Sequence, residues 1–134
     1  MFKKLRKNEK GFTLAELLIV VAIIGVLVAI SIPIFTSQLE KARDAVSVAN
    51  LRAAYAEAST QYLTGTDSNG AAITGNSVTI KDVAFKGEKA SDVYSGLATE
   101  LPFDGAAKTT EPAKGSHDVT FTWDDAGKVT ATIA

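Results

Sequence analysis

The hydrophobic pattern changes twice along the chain, and the changes mark out three stretches. From Phe12 to Phe35 the sequence reads FTLAELLIVVAIIGVLVAISIPIF, 24 residues in which Glu16 is the only charged side chain. At about 1.5 Å per residue this run extends roughly 36 Å as a helix, enough to cross a hydrocarbon core of about 30 Å. From Ser37 to Leu63 there is no Gly or Pro, and Val48, Leu51, Tyr55, Ala58 and Tyr62 recur at intervals of three and four, one face of an amphipathic helix. A second stripe, Phe35, Leu39, Ala42, Val46, Ala49 and Ala53, carries smaller side chains. The larger stripe predicts a face laid on the protein's own sheet, and the smaller one a face for neighbouring helices. A continuous helix from Thr13 to Leu63 would be roughly 75 Å long, and Gly65 is its natural stop.

Beyond Gly65 the period shortens. Thr66-Asp67-Ser68-Asn69-Gly70 is a turn-forming loop. Short β-prone pieces follow at Ala72–Thr74, Val78–Lys81 and Val83–Lys86, and Asp92–Leu101 predicts a short helix capped by Ser91 or Asp92 and stopped by Pro102. The clearest signal is C-terminal: Val119, Phe121 and Trp123 alternate with Thr120 and Thr122, and Val129, Ala131 and Ile133 alternate with Thr130 and Thr132. Asp124-Asp125-Ala126-Gly127 joins the two, with Gly127 free to take positive φ. The expected fold is α+β: a long N-terminal helix packed on a small antiparallel sheet of three or four strands, ending in a 118–124/128–133 hairpin. The apolar face of the hairpin should cover the helix and its threonines should face water.

Charge adds direction. Residues 1–10 hold Lys3, Lys4, Arg6, Lys7 and Lys10 against Glu9, whereas Lys41 and Arg43 beyond the apolar run are offset by Glu40 and Asp44. That asymmetry keeps the N-terminus in the cytoplasm and sends the remainder outward. A secretory signal is cut after its apolar region at small residues, but Ala29 and Ser31 are followed by the bulky Ile32-Pro33. The small residue that stands out is Gly11, before the run. Glu16 is costly in lipid, about 2.5–3.5 kcal/mol at a bilayer centre, and so calls for a cationic partner. Within the run, Pro33 costs about 3 kcal/mol or more in a helix interior and Gly25 about 1 kcal/mol relative to Ala; a kink at Pro33 is expected.

The basic leader, Gly11-Phe12-Thr13-Leu14-Ala15-Glu16 and the following LLIVVAIIGVLVAISIP together resemble the prepilin signal of type IV pilins, shared with the pseudopilins of type II secretion and competence systems. The likeness covers Lys7 to about Lys41; the remainder matches in architecture only. The resemblance implies a type IV pilin-like fold, cleavage between Gly11 and Phe12, and N-methylation of Phe12 by a prepilin peptidase/methyltransferase. It also implies that Glu16 pairs with the Phe12 amine of an adjacent subunit and sets filament register, and that the segment between Gly25 and Pro33 can loosen in the filament. The parts are then a leader (1–11), a membrane and filament-core half-helix (12–35), an amphipathic half-helix (36–64) and a globular head (65–134). The implied partners are other copies of the chain in a helical homopolymer, the peptidase, the lipid bilayer before assembly, and indirectly a pilus assembly platform protein and ATPases. The implied locations are the cytoplasmic membrane, single-pass with the head outside, and then an extracellular filament. Many Gram-negative pilins close the C-terminal region with a disulfide; this chain has no cysteine, which leans towards a Gram-positive source.

Little else in the sequence points to chemistry. Removing the five leader cations and Glu9 from 14 basic and 15 acidic residues leaves 9 and 14, net −5, which argues against a dedicated nucleic-acid surface. His117 is the only histidine, cannot anchor a familiar zinc site without cysteine, and reads as a solvated strand-edge residue. No phosphate-binding glycine motif or nucleophile elbow is present, so no catalytic residue and no cofactor is expected. Asp124 and Asp125, with Asp118 or Asp104, offer a calcium-like grouping, but acidic turn residues ordinarily serve the turn, and no metal site is expected. Trp123 alternates with Phe121 and reads as core rather than adhesive. Three functions stay open: a pilus subunit serving motility, adhesion or DNA uptake; a major pseudopilin; and a signal-anchored binding domain that never polymerises.

Overall fold

The computed structural model describes residues 12–88 and 93–134. The leader, Gly11 and the expected cap at Ser91 or Asp92 lie outside the described residues. Two compact units divide at Gln38 and Leu39.

Helix α1 runs Leu14–Thr64 as one continuous helix with Pro33 inside it. It starts on a reciprocal pair: the Thr13 amide donates to Glu16 Oε1 at 3.0 Å and the Glu16 amide donates to Thr13 Oγ1 at 3.1 Å. This capping box satisfies two amides that a helix start otherwise leaves open. Gly65, at φ +76°, ends the helix, and its amide closes on the Gln61 carbonyl at 2.9 Å. That left-handed turn is one glycine adopts without a Cβ penalty.

Within the second unit, Val48, Leu51, Ala54 and Ala58 of α1 are buried, as a 3.6-residue period with one covered face requires. They meet an antiparallel meander: β1 (Ser77–Phe85), β2 (Gly115–Trp123) and β3 (Val129–Ile133), in the order β1-β2-β3. The hairpin register pairs Val119 with Ile133, Phe121 with Ala131 and Trp123 with Val129. Val119, Phe121, Trp123, Val129 and Ala131 are buried, and Ile133 is half-buried against them. The hydroxyls occupy the other face, where Thr79 meets Thr120 at 2.8 Å and Ser77 meets Thr122 at 3.0 Å. The expected orientation therefore holds. Tyr62 stacks on Trp123 with ring centres 4.3 Å apart, and Tyr55 touches both Phe103 and Phe121; such pairs add about 0.5–1.5 kcal/mol beyond their buried area.

Three expectations change. Val78–Lys81 and Val83–Lys86 are one strand, broken in register between Ile80 and Val83. Asp82 takes φ +57° there and donates its amide to Asp118 Oδ1 at 3.1 Å. The extra residue returns Val83 and Phe85 to the face that Val78 and Ile80 bury, which is what a bulge does to an alternating pattern. Ala72–Thr74 is not a strand: Ala72 makes only an isolated bridge to Thr66. The helix expected over Asp92–Leu101 is a 3₁₀ segment, η1 (Val93–Glu100), in which Tyr94, Ser95 and Gly96 are left-handed. A further short helix, α2 (Ala106–Thr109), was not expected from the sequence. It follows Gly105, at φ +102°, where a Cβ would strike the Ala131 backbone at 2.7 Å.

Candidate functional site: the apolar helix and two sets of carboxylates

In the first unit the large apolar side chains face outward. From Leu14 to Phe35 every Leu, Ile, Val and Phe is exposed. An 18-residue window of α1 reaches a mean hydropathy of 3.1, long and apolar enough to cross a membrane. A Cβ added at Gly25 would meet nothing within 4 Å, so no contact within the chain demands glycine there. Pro33 has no amide to give Ala29, while nearby hydroxyls fold back on the backbone, Ser31 Oγ to the Leu27 carbonyl at 2.7 Å and Thr36 Oγ1 to the Pro33 carbonyl at 3.0 Å. Phe12 is 76% exposed. The sequence-derived residues Phe12 and Glu16 thus share the start of α1, with Glu16 engaged in the capping box. Gly11 lies outside the described residues.

The second unit places a different set of acids inside. Extending the buried stripe of α1 towards its N-terminus leads from Val48 to Asp44 and Glu40, which are 0% and 6% exposed. Glu111, 3% exposed, completes a trio whose carboxylate oxygens lie within 4.8 Å of one another. Both Glu40 oxygens accept from the Glu88 amide, at 3.2 and 2.9 Å. Asp44 Oδ2 accepts from Ser95 Oγ at 2.5 Å, and Glu111 Oε2 accepts from the Tyr94 amide at 3.4 Å. The left-handed run in η1 thus turns Tyr94 and Ser95 towards the two acids; each such residue is strained by roughly 1–2 kcal/mol. Asp44 Oδ1 and Glu111 Oε1 are buried with no hydrogen-bond partner.

Burial, then the neighbouring Asp44 carboxylate, pushes the Glu111 carboxyl up to about 8. The same burial, with Glu111 and Asp44 nearby, raises the Tyr94 phenol above its ordinary value; its hydroxyl donates to the Ala107 carbonyl at 2.9 Å. At the rim Glu88 is held below the usual carboxylate range by Lys114 and Arg43, at 2.9 and 3.1 Å.

The acids that the sequence offered for a calcium-like grouping have other partners. Asp124 Oδ1 accepts from the Ala126 and Lys128 amides at 2.9 and 2.7 Å, shaping the hairpin turn. Asp118 holds the β1 bulge, and Asp104 pairs with Lys108 and Lys128. His117 is not a solvated edge residue: it lies on the central strand, half-buried, edge-on to Phe85 at 5.6 Å, with Nε2 2.7 Å from the Ala113 carbonyl. Trp123 is core, 8% exposed.

Residues 6–32 match the family of the prokaryotic N-terminal methylation motif. Among curated proteins, the chain is 51% identical over 57 residues to the major component of the type IV narrow pilus of Thermus thermophilus (PilA5), covering 40% of this chain and 49% of that one. It is 48% identical over 48 residues to the type IV major pilin PilA of Myxococcus xanthus, 36% of this chain and 22% of that one. The wide-pilus major component of Thermus thermophilus (PilA4) is 51% identical over 45 residues, 34% of each chain. The chain spans at most about half the length of these relatives. No solved structure matches it significantly. The chain thus joins an N-terminal methylation-motif segment, similar to that of type IV major pilins, to a type IV pilin-like arrangement of a long helix on a three-stranded antiparallel sheet.

Proposed function

We propose that the chain is a structural, non-enzymatic subunit that polymerises through α1 into a type IV pilus. The observation that carries this reading is the exposed apolar stretch Leu14–Phe35 with Glu16 one turn from Phe12. Such a surface has two natural coverings, lipid before assembly and the same helix of other copies afterwards. Cleavage between Gly11 and Phe12 by a prepilin peptidase would create an α-amine of ordinary pKa about 7.7–8.0, largely cationic at neutral pH; methylation leaves it basic. Glu16 would then exchange part of its capping role for an ion pair with the Phe12 amine of an adjacent subunit. A buried charge that loses its partner costs about 3–5 kcal/mol, so the pair would fix axial register and admit only cleaved subunits. The exposed small stripe, Leu39, Ala42, Val46, Ala49 and Ala53, suits close approach by neighbouring helices, and Gly25 and Pro33 mark where α1 would loosen in the filament.

Before assembly the subunit would cross the cytoplasmic membrane once, leader inside and head outside; platform proteins and ATPases would then drive it into an extracellular filament for motility, adhesion or DNA uptake. The pseudopilin reading is less favoured, because the relatives carry pilus and pilin names. Electron microscopy of cells with and without the protein tests the proposal. Loss of long surface filaments is expected; their persistence would leave the pseudopilin or a minor subunit.

A further inference from the structure

We propose that Glu40, Asp44 and Glu111 form a binding site for a divalent, calcium-like cation that ties α1 to the segment preceding β2. The trio combines three carboxylates with burial, and burying an anion without a partner is among the most costly arrangements in a protein. Among the described residues, the cations at the rim pair with Glu40 and Glu88 (Arg43) or with Glu88 alone (Lys114). Among those residues no ion pair reaches Asp44 or Glu111. Asp44 Oδ1 and Glu111 Oε1 are both buried and unpartnered, and they converge: a Cβ at Gly87 would overlap both atoms. Glycine at position 87 therefore keeps open the space onto which the two oxygens face.

The donor set chooses the ion. All the converging atoms are hard oxygens, without imidazole or thiolate, which suits calcium or magnesium rather than zinc or copper. One oxygen from each acid lies within 4.8 Å of the other two, near enough for all three to reach one cation at calcium–oxygen distances of about 2.3–2.6 Å. Three acids exceed the charge of a divalent ion by one, and the Glu88 amide and Ser95 hydroxyl already balance part of the remainder. The alternative is a proton shared between Asp44 and Glu111, and the experiment separates the two.

The full chain in detergent micelles is unfolded by heat, followed by Trp123 fluorescence, in EGTA and in rising calcium chloride, and terbium luminescence sensitised through the nearby Tyr94 is competed with calcium. A site of this kind predicts a midpoint raised by roughly 5 °C in millimolar calcium, and terbium emission that calcium quenches. Asp44→Asn and Glu111→Gln should each weaken calcium binding at least tenfold. A midpoint and terbium signal unmoved by 10 mM calcium in the wild type would overturn the proposal and leave the shared proton. So would calcium binding that persists undiminished in both variants, since the ion would then lie elsewhere. The wild-type arms decide the matter even where a variant fails to fold.

Discussion

The two units make opposite use of their apolar side chains. In Leu39–Ala134 the helix stripe, the sheet face and Phe103 cover one another, leaving Leu51 and Phe121 with no exposed surface. In the first unit residues as apolar as Ile23, Ile24 and Leu27 remain more than half exposed. One unit buries its apolar side chains within a single chain, and the other leaves them exposed, which under the proposed function is the surface given over to lipid and further copies.

Substitutions should divide the same way. Phe121→Ala removes a fully buried ring that meets Tyr55 and Phe103 and should destabilise the second unit by about 3–5 kcal/mol. Ile24→Ala should change that unit by less than about 0.5 kcal/mol while lowering filament yield. Urea unfolding followed by Trp123 fluorescence measures the first effect, and sheared-filament mass the second. Equal destabilisation by both would dissolve the distinction between the units.

Glu16 sharpens the comparison within the first unit. Glu16→Gln keeps an oxygen to accept the Thr13 amide, whereas Glu16→Ala loses both the capping contact and the charge. If the ion pair governs assembly, both variants should lower filament yield at least tenfold, with membrane insertion intact and the leader cleaved. Near-normal yield from Glu16→Gln would assign the residue to helix capping instead.

The smallest effect belongs to the surface of the second unit. Lys128 and then Lys108 hold the Asp104 carboxyl below its usual range. The associated stability is present above the unfolded value, about 3.9, and is lost as pH falls through the lower folded value. Asp104→Asn should flatten the acid limb of a pH–stability curve slightly and leave neutral-pH stability nearly unchanged, as for exposed pairs generally.

Regular elements were legible because their residues repeat. The period of three and four from Val48 to Tyr62 placed the helix face, and strict alternation fixed the register of the β2–β3 hairpin. The β1 bulge was not legible, since one inserted residue at Lys81-Asp82 makes a single strand look like two. Neither was η1, where Tyr94 and Ser95 adopt a left-handed backbone that local propensity disfavours and that burial of Tyr94 and the contacts to Glu111 and Asp44 accompany. At the N-terminus, Glu16 stands out because a lone charge in an apolar run is conspicuous, and the structure adds its place in the capping box with Thr13. The buried trio was half legible: stepping back four residues from Val48 reaches Asp44 and then Glu40. Glu111 follows no period and joins them only through the chain's return from η1 to β2.

Mass spectrometry of filaments sheared from cells tests the central claim most directly. The account predicts that the mature chain begins at Phe12, carries one added methyl group on its α-amine and lacks Met1–Gly11. Filaments containing the chain with Met1–Gly11 still attached, or an unmodified start elsewhere, would contradict it.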